Sequence, residues 1–191
     1  FANNKSQLMG GAILATIQSS TNYALNVSAT NCTFTGNQGN GALSTLTTAN
    51  GTVNVRLVNG IVAYNSDTAG VAYLDIVETK GTSGTTVSRV DPDHVLYAVA
   101  STMDTTGRHC ICVNNSTSDV FSEYVSFGTG LRRPKLTASD LSSVALLSAN
   151  SLSIGAGTPS SEGVTVPTFD QLGQARPAKP SLGAVEFQKP N

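Results

Sequence analysis

Apolar and polar residues alternate in two stretches of the chain, residues 25–37 (LNVSATNCTFTGN) and 53–65 (VNVRLVNGIVAYN), which align without a gap 28 residues apart. Strict alternation is typical of β-strands that bury one face, because successive side chains point to opposite sides. The pattern therefore predicts strands, and its repetition indicates that one unit recurs along the chain. Asparagines occupy matching positions of the two stretches, as Asn26 and Asn54, Asn31 and Asn59, and Asn37 and Asn65.

Shorter motifs extend this repeat along the chain. The pattern F-x-x-N occurs at residues 1–4 and 34–37, and each occurrence is followed by a Gly-Ala step, the two steps lying 30 residues apart. Val71-Ala72 continues the same spacing, which predicts a third, degraded copy that ends in an apolar strand at 71–77.

Periods of roughly 20 to 50 residues indicate stacked units that bury a face only against a neighbouring unit. The sequence therefore predicts an all-β fold, a right-handed parallel β-helix or solenoid, with an irregular C-terminal cap. An antiparallel sandwich also separates short strands with turn residues, but gapless self-similarity favours the solenoid. In that register Leu25 with Val53, Val27 with Val55, and Ala29 with Leu57 should share one interior face.

Asparagine at a repeated turn position has a physical use. Its backbone tolerates left-handed conformations, and its amide can bond to the copies above and below. We therefore expect two ladders, Asn31 over Asn59 and Asn37 over Asn65, in strands about 4.8 Å apart.

The chain divides into two regions. Residues 1–135 carry the repeats, with long loops at 79–135 between predicted strands, and residues 136–191 form a short helix and a capping segment. Ser139-Asp140 gives the helix an N-cap, and Leu141, Val144 and Ala145 follow at helical spacing. The strands predicted within the loop region are 87–90, 95–100, 110–113 and 120–127.

Composition limits the function classes. Charged residues make up 12% of the chain and the net charge is −1, so electrostatics gives no case for binding nucleic acid or an anionic membrane. No apolar run approaches the roughly 20 residues that span a bilayer, so no transmembrane segment is predicted. Cys32, Cys110 and Cys112 are interpreted as small buried hydrophobic residues. Because Phe1 falls within a repeat, we expect a longer protein with any signal or lipid anchor upstream.

The densest group of chemistry-bearing residues is Asp91-Pro92-Asp93-His94, followed by Arg108 and His109 in the next loop. Alternation places Asp91 and Asp93 on one side, where they suit a glycan or a cation such as calcium. Asp-Pro-Asp is also a common turn in which carboxylates cap backbone amides, and we favour that interpretation. Residues 1–66 contain no Asp or Glu. We therefore assign no catalytic residue, no metal ligand and no cofactor, with calcium as the alternative.

Three ordered pieces of the tail carry a resemblance: residues 147–157 (LSANSLSIGAG), 170–177 (DQLGQARP) and 182–187 (LGAVEF). They resemble the ending of bacterial right-handed parallel β-helix surface proteins of the choice-of-anchor type, where the pattern runs S-P-A-I-D-A-G, D-x-x-G-x-x-R-P, D-I-G-A-x-E. Gly155 and Ser181 stand where that pattern has Asp. The F-x-x-N and G-G-A-I motifs resemble repeats of polymorphic outer-membrane proteins, which are β-helical, adhesin-like passengers.

This tail is expected to close the end of the stack as a lid. Asp170 and Arg176 fit a turn with an Asp–Arg pair, and Arg176 can satisfy free carbonyls. Glu186 is a further partner for Arg176. A catalytic Arg176–Glu186 pair is the alternative to this structural role.

The resemblance implies a secreted protein or one on the outer-membrane surface of a bacterium. We expect a non-enzymatic scaffold or adhesin-like module that contacts a glycan or a protein partner through its sheet faces and the 79–135 loops. One alternative is the C-terminal part of a polysaccharide lyase or hydrolase with its active site upstream. Another is an accessory subunit of an outer-membrane surface complex. Whether the chain belongs to an enzyme stays open at this point.

Overall fold

The computed structural model describes residues 1–19, 21–48, 50–81, 86–100, 103–106, 108–138 and 143–187. These residues form an all-β structure. No helix occurs among them, and so none is long and apolar enough to cross a membrane. The first strands are β1 (Lys5–Met9), β2 (Ile13–Ile17), β3 (Tyr23–Thr30), β4 (Thr33–Phe34), β5 (Gln38–Asn40), β6 (Leu43–Thr47) and β7 (Gly51–Val62). The later ones are β8 (Ile76–Lys80), β9 (Thr86–Tyr97), β10 (Ile111–Cys112), β11 (Tyr124–Phe127), β12 (Leu131–Pro134), β13 (Thr137–Ala138) and β14 (Ser143–Val144).

Most strand pairs are parallel. One sheet has the order β10-β9-β7-β3, with β4 also pairing with β7, a second has the order β2-β6-β8, and a third consists of β1 and β5. Each sheet thus takes its strands from successive copies of the repeat, namely β1–β4, β5–β7 and β8–β9. The two hairpins β11-β12 and β13-β14 are antiparallel.

The predicted register of the first two copies is confirmed. In the parallel pair of β3 and β7, Leu25 lies opposite Val53, Val27 opposite Val55, and Ala29 opposite Leu57. Val53, Val55 and Leu57 are at most 1% exposed, whereas the residues between them are half-buried. Over residues 52–57, alternation therefore places one row of β7 in the core and leaves the other row half-buried, whereas residues 57–62 are all buried. The flanking motifs agree, because the Phe1 and Phe34 rings stack at 4.8 Å and Ile13 pairs with Leu43.

The third copy begins later than predicted. Leu43 pairs with Ile76, so the strand that was expected at 71–77 is β8, and Val71-Ala72 precedes it. Asp67 causes the delay. Its carboxylate accepts from the Val71 backbone N–H at 2.9 Å, and its own N–H donates to the Ala72 carbonyl at 2.9 Å, which closes an inserted turn before the strand.

The predicted strand 87–90 and residues 95–97 of the predicted strand 95–100 belong to one long strand, β9, which ends at Tyr97 and pairs with β7 along most of its length. The prediction of a turn at Asp91-Pro92-Asp93 is therefore wrong, because all three residues lie within β9. β10 covers only Leu96 and Tyr97, so β9 is an edge strand at Pro92, where a proline costs no ladder bond. The other two predicted strands are shorter than expected, since the strands are Ile111–Cys112 and Tyr124–Phe127, and Phe121 forms only an isolated bridge with Leu147.

The predicted helix is wrong in its described part. Ser143–Val144 is strand β14, paired with Thr137–Ala138, and Ala145 lies beyond it. The proposed N-cap, Ser139-Asp140, and Leu141 lie outside the described residues. Helical spacing of a few apolar residues was too short a signal to decide between a helix and a hairpin.

The C-terminal region builds a second core on the other face of β7. Val62 belongs to the interior core, and its neighbour Ile61 points the opposite way, where Leu182 covers it. The Gly183 N–H donates to the Asn59 carbonyl at 2.7 Å, and the Ala184 N–H donates to Thr33 Oγ1 at 3.0 Å. These contacts lie against the side of the first two copies, whereas the sequence predicts a lid over the end of the stack.

Candidate functional site

One turn position links all the copies. Asn31, Asn59, His94 and His109 follow one another in the register of β3, β7, β9 and β10, and each has a left-handed φ between 51° and 53°. Asparagine and histidine are enriched several-fold in this conformation over other side chains with a Cβ. The expected ladder of Asn31 and Asn59 is confirmed, since Asn59 Nδ2 donates to Asn31 Oδ1 at 3.5 Å. In β9 and in the segment that leads into β10, histidine replaces asparagine at this position.

The two histidines lie in contact. Their rings stack with centroids 4.7 Å apart and an angle of 22° between the planes. His94 is half-buried and its backbone N–H donates to the Arg108 carbonyl at 2.9 Å, which fixes the 108–109 segment beside β9. His109 is exposed. The chain contains no other histidine.

Two carboxylates stand beside this pair. Asp93 Oδ1 lies 2.9 Å from His94 Nδ1. Asp91 forms ion pairs with Arg56 at 2.5 Å and with Arg108 at 3.0 Å. Asp93 Oδ2 also lies 3.8 Å from Arg56 Nη2, so both carboxylates face Arg56. This confirms the prediction that Asp91 and Asp93 lie on one side of the strand. The structure brings together all five candidate residues, Asp91, Asp93, His94, Arg108 and His109.

Sequence reasoning missed two members of this cluster. Arg56 lies directly opposite Asp91 in the pairing of β7 with β9, a register that the altered spacing of the third copy concealed. Ser161 comes from the C-terminal region, and its Oγ donates to Asp93 Oδ2 at 2.6 Å and accepts from Arg56 Nη2 at 3.1 Å. No signal in the sequence connects Ser161 to β9.

The hydrogen bonds set the charge of Asp93. Partial burial alone would raise the pKa of this carboxyl, but the bonds with Ser161 and His94 and the charges of His94 and Arg56 outweigh it. The pKa of Asp93 therefore lies below its ordinary value. The group is ionised at neutral pH and faces the histidine pair.

A polar cleft of ≈ 200 Å³ adjoins Asp91. Acidic and basic side chains alternate around it, and exposed arginine and lysine groups reach its rim. Charged groups of both signs can hydrogen-bond hydroxyl-rich or charged ligands. The lining residues are Glu78, Lys80, Arg89, Val90, Asp91, Asp104 and Arg108.

The second expected ladder is confirmed and has an unpredicted end. Asn37 Nδ2 donates to Asn65 Oδ1 at 2.9 Å, and Asn65 Nδ2 donates to Asp75 Oδ1 at 2.8 Å. The other Asp75 oxygen accepts from the Val99 N–H at 3.0 Å and from Asn115 Nδ2 at 3.3 Å. Burial raises the pKa of Asp75 to about 6, although these hydrogen bonds pull it downward. Asp75 is fully enclosed among structural donors and therefore serves the fold.

The predicted tail residues also form a structural network. Arg176 pairs with Glu186, and Arg176 Nη2 donates to the Gly183 carbonyl at 3.0 Å and to the Ala184 carbonyl at 3.2 Å. Asp170 accepts from the Glu186 N–H at 2.8 Å, and no ion pair joins it to Arg176 among the described residues. The Arg176 and Glu186 side chains are less than a tenth exposed. A cavity of ≈ 360 Å³ lies beside Arg176 and Asp170. The bonds from Arg176 to the Gly183 and Ala184 carbonyls indicate that this pair holds the tail together.

Tyrosine rings and thiols contribute little to an open site. Tyr64 is fully buried, and the Tyr124 hydroxyl donates to its hydroxyl oxygen at 2.9 Å beneath the Arg132 guanidinium. Cys32 packs partly buried against the interior core, as predicted, whereas Cys112 is exposed. Ligand contacts at the candidate site therefore depend on charged and imidazole groups rather than on aromatic stacking.

No family model, curated protein or solved structure matches this chain. The function is therefore inferred from the geometry of the cluster around Asp93 and His94. That geometry combines an ionised carboxylate, two stacked imidazoles and an arginine-paired carboxylate on an outer face of the sheets.

Proposed function

We propose that this chain is part of a right-handed parallel β-helix from a bacterial surface or secreted protein, and that it acts as a non-enzymatic scaffold. The parallel pairing of successive copies in three sheets supports the architecture. Parallel crossover connections within a sheet are right-handed in about 98% of cases, which supports the hand. The resemblance of the tail to the choice-of-anchor type supports the extracellular location.

The function follows from one observation: Asp91 and Asp93 are held in ion pairs and hydrogen bonds beside a polar cleft. Hydrolysis or elimination needs a group of tuned pKa that is free to take or give a proton. Asp91 instead is held between Arg56 and Arg108, and Asp93 between His94 and Ser161. Fixed, paired charges suit recognition, because their donors and acceptors are already oriented for a ligand.

The ligand is a glycan or a polar protein surface bound through hydrogen bonds. Exposed Arg89 and Lys80 and half-exposed Arg108 surround the cleft, and guanidinium groups suit carboxylate or sulfate groups of acidic sugars. No aromatic side chain lines the cleft among the residues that the structure describes, so the cleft offers no platform for sugar stacking. An acidic polysaccharide is therefore the first ligand class to test.

Binding of acidic and neutral polysaccharides by isothermal titration calorimetry tests this proposal. Arg89→Ala and Arg108→Ala should each weaken binding of the acidic ligand at least tenfold, because each removes a donor from the cleft. Lys135→Ala is the matched control, since Lys135 is an exposed cation paired with Glu123 outside the cleft. Equal affinity in all three variants would contradict a site at the cleft.

Activity assays separate the scaffold from an enzyme. Incubation with the same polysaccharides, with and without calcium, should release neither reducing ends nor unsaturated products. Cleavage that Asp91→Asn or His94→Ala abolishes would overturn the non-enzymatic proposal. Such a result would assign the cluster to an active site of a lyase or hydrolase.

A further inference from the structure

We propose that His94, His109 and Asp93 form a binding site for a divalent transition-metal ion, for which Zn²⁺ is the representative ligand. This inference stands on the geometry of the three side chains. It does not depend on the scaffold function or on any glycan.

The three side chains are already close enough to share an ion. Their ligand atoms all lie within 4.8 Å of one another. Two ligand atoms on one tetrahedral zinc lie roughly 3.3 Å apart, since Zn–N bonds measure about 2.0 Å. Binding requires the side chains to turn about their own bonds and the His94–Asp93 hydrogen bond to be replaced by bonds to the ion. His109 is exposed and can turn without disturbing the core.

The backbone supports this arrangement as a built feature. Both histidines occupy the left-handed turn position that asparagine fills in the two preceding copies. The parallel register of β10 with β9 then places His109, two residues before β10, beside His94 of β9, with the two rings stacked. A change of side chain at one repeated position has converted an amide ladder into a pair of nitrogen ligands.

The surroundings orient the third ligand. Ser161 Oγ donates to Asp93 Oδ2, which leaves Oδ1 facing His94. Partners of this kind fix the direction of a metal-binding carboxylate and commonly affect metal affinity by a factor of about 10 to 100. Arg56 and Arg108 are both paired with Asp91, which partly neutralises their charge. Arg56 Nη2 also lies 3.8 Å from Asp93 Oδ2, on the side of the carboxylate away from His94.

The donor set selects the ion. Calcium prefers six to eight oxygen ligands, whereas two of the three donors here are imidazole nitrogens. Imidazole suits zinc, copper and nickel. Three protein ligands with an exposed side leave a fourth position of the zinc for water or for a group of a bound partner.

Titration of metal-stripped protein with ZnCl₂, followed by calorimetry, tests the site. One Zn²⁺ should bind per chain, and CaCl₂ at the same concentration should give no comparable heat. His94→Asn and His109→Asn should each lower the zinc affinity at least tenfold. Asparagine is the suitable replacement because Asn31 and Asn59 show that it fits this backbone. Asp93→Asn should also lower the affinity about tenfold.

Two controls keep the test decisive. The thermal midpoint of each His→Asn variant without metal should match the parent protein. At one fixed zinc concentration the midpoint of the parent should rise more than that of either variant. Cys112→Ala removes the exposed thiol, a competing zinc ligand, and should leave zinc binding unchanged. Full zinc affinity in His109→Asn, or loss of binding in Cys112→Ala alone, would overturn the proposal, as would the absence of zinc binding to the parent protein.

Discussion

Single residues at a repeated position can change chemistry without changing the backbone. Asn31 and Asn59 bond to each other, whereas His94 and His109 at the same position stack their rings and face Asp93. In the interior, the ladder of Asn37 and Asn65 ends on the carboxylate of Asp75, which lies outside the repeated asparagine position. The copies therefore supply a fixed frame on which one side chain per copy sets the local function.

Replacing Leu57 by Asp should prevent folding. Leu57 is 1% exposed in the interior core, and an unpaired carboxylate there costs several kcal/mol, a large part of the usual 5–15 kcal/mol of stability. Asn54→Asp is the matched control, because Asn54 lies on the outer face of the same strand and accepts from Arg89 Nε at 3.0 Å. The control should melt within a few degrees of the parent. A parent-like thermal melt of Leu57→Asp would mean that this face is exposed.

Asp75 should make stability depend on pH. Its pKa is raised from 3.8 to about 6 in the folded protein, so the folded state holds the proton more tightly than the unfolded state. The contribution is fully present below pH 3.8 and is lost as the pH rises to about 6, a decrease of about 3 kcal/mol in unfolding free energy.

Asp75→Asn removes this titration and isolates its effect. The Asn amide replaces one carboxyl oxygen by an NH2 group, which cannot accept from the Val99 N–H and Asn115 Nδ2, whereas the hydroxyl oxygen of the protonated Asp75 carboxyl still can. The variant should therefore be less stable than the parent by about 1–3 kcal/mol at low pH. Urea unfolding from pH 3.5 to 7 should show the difference between the two proteins shrinking as the pH rises. Parallel pH profiles would contradict the assigned role of Asp75.

At the scale of elements, the C-terminal region joins the sheets through close backbone contact. Gly183 has φ of +89°, and an added Cβ would lie 2.6 Å from Thr33 Oγ1 and 2.8 Å from Ile61 Cδ1. Leu182 beside it is fully buried in the second core. This docking brings Ser161 to the candidate site, so the tail positions part of the cluster as well as covering β7.

Gly183→Ala should therefore loosen the tail. The substitution combines left-handed strain with a clash, and we expect a loss of about 2–4 kcal/mol of unfolding free energy. Gly163→Ala is the matched control, because Gly163 has φ of +69° and nothing within 4 Å of an added Cβ, so only the strain of about 1 kcal/mol applies. Equal destabilisation of the two variants in chemical unfolding would show that Gly183 makes no close contact with β4 and β7.

At the scale of the whole molecule, the sequence predicts the fold where the copies are regular and fails where they are not. The pairing of Val27 with Val55 follows from a gapless repeat, and so do the asparagine ladders. The start of the third copy does not, because the Asp67 turn inserts residues without a periodic signal. The sequence predicts a turn at Pro92. The proline is tolerated within β9 because β10 is short and leaves β9 as an edge strand at that residue, which the sequence does not reveal.

The candidate site shows the same limit. Asp91, Asp93, His94, Arg108 and His109 are close in sequence, and their proximity in space could be predicted. Arg56 required the register between β7 and β9, and Ser161 required the docked tail. The contacts of Arg56 and Ser161 complete this site. They join distant segments and depend on packing that no local sequence pattern predicts.

The central claim is that successive copies stack in parallel register and thereby create the column that ends in the histidine pair. Nuclear Overhauser measurements on valine-methyl-labelled protein test it most directly. Val27 lies opposite Val55, and Val55 lies opposite Val90, in neighbouring strands about 4.8 Å apart. We predict strong Val27–Val55 and Val55–Val90 cross-peaks and no direct Val27–Val90 cross-peak. Absence of the first two contacts, or a direct contact between Val27 and Val90, would contradict the stacked arrangement.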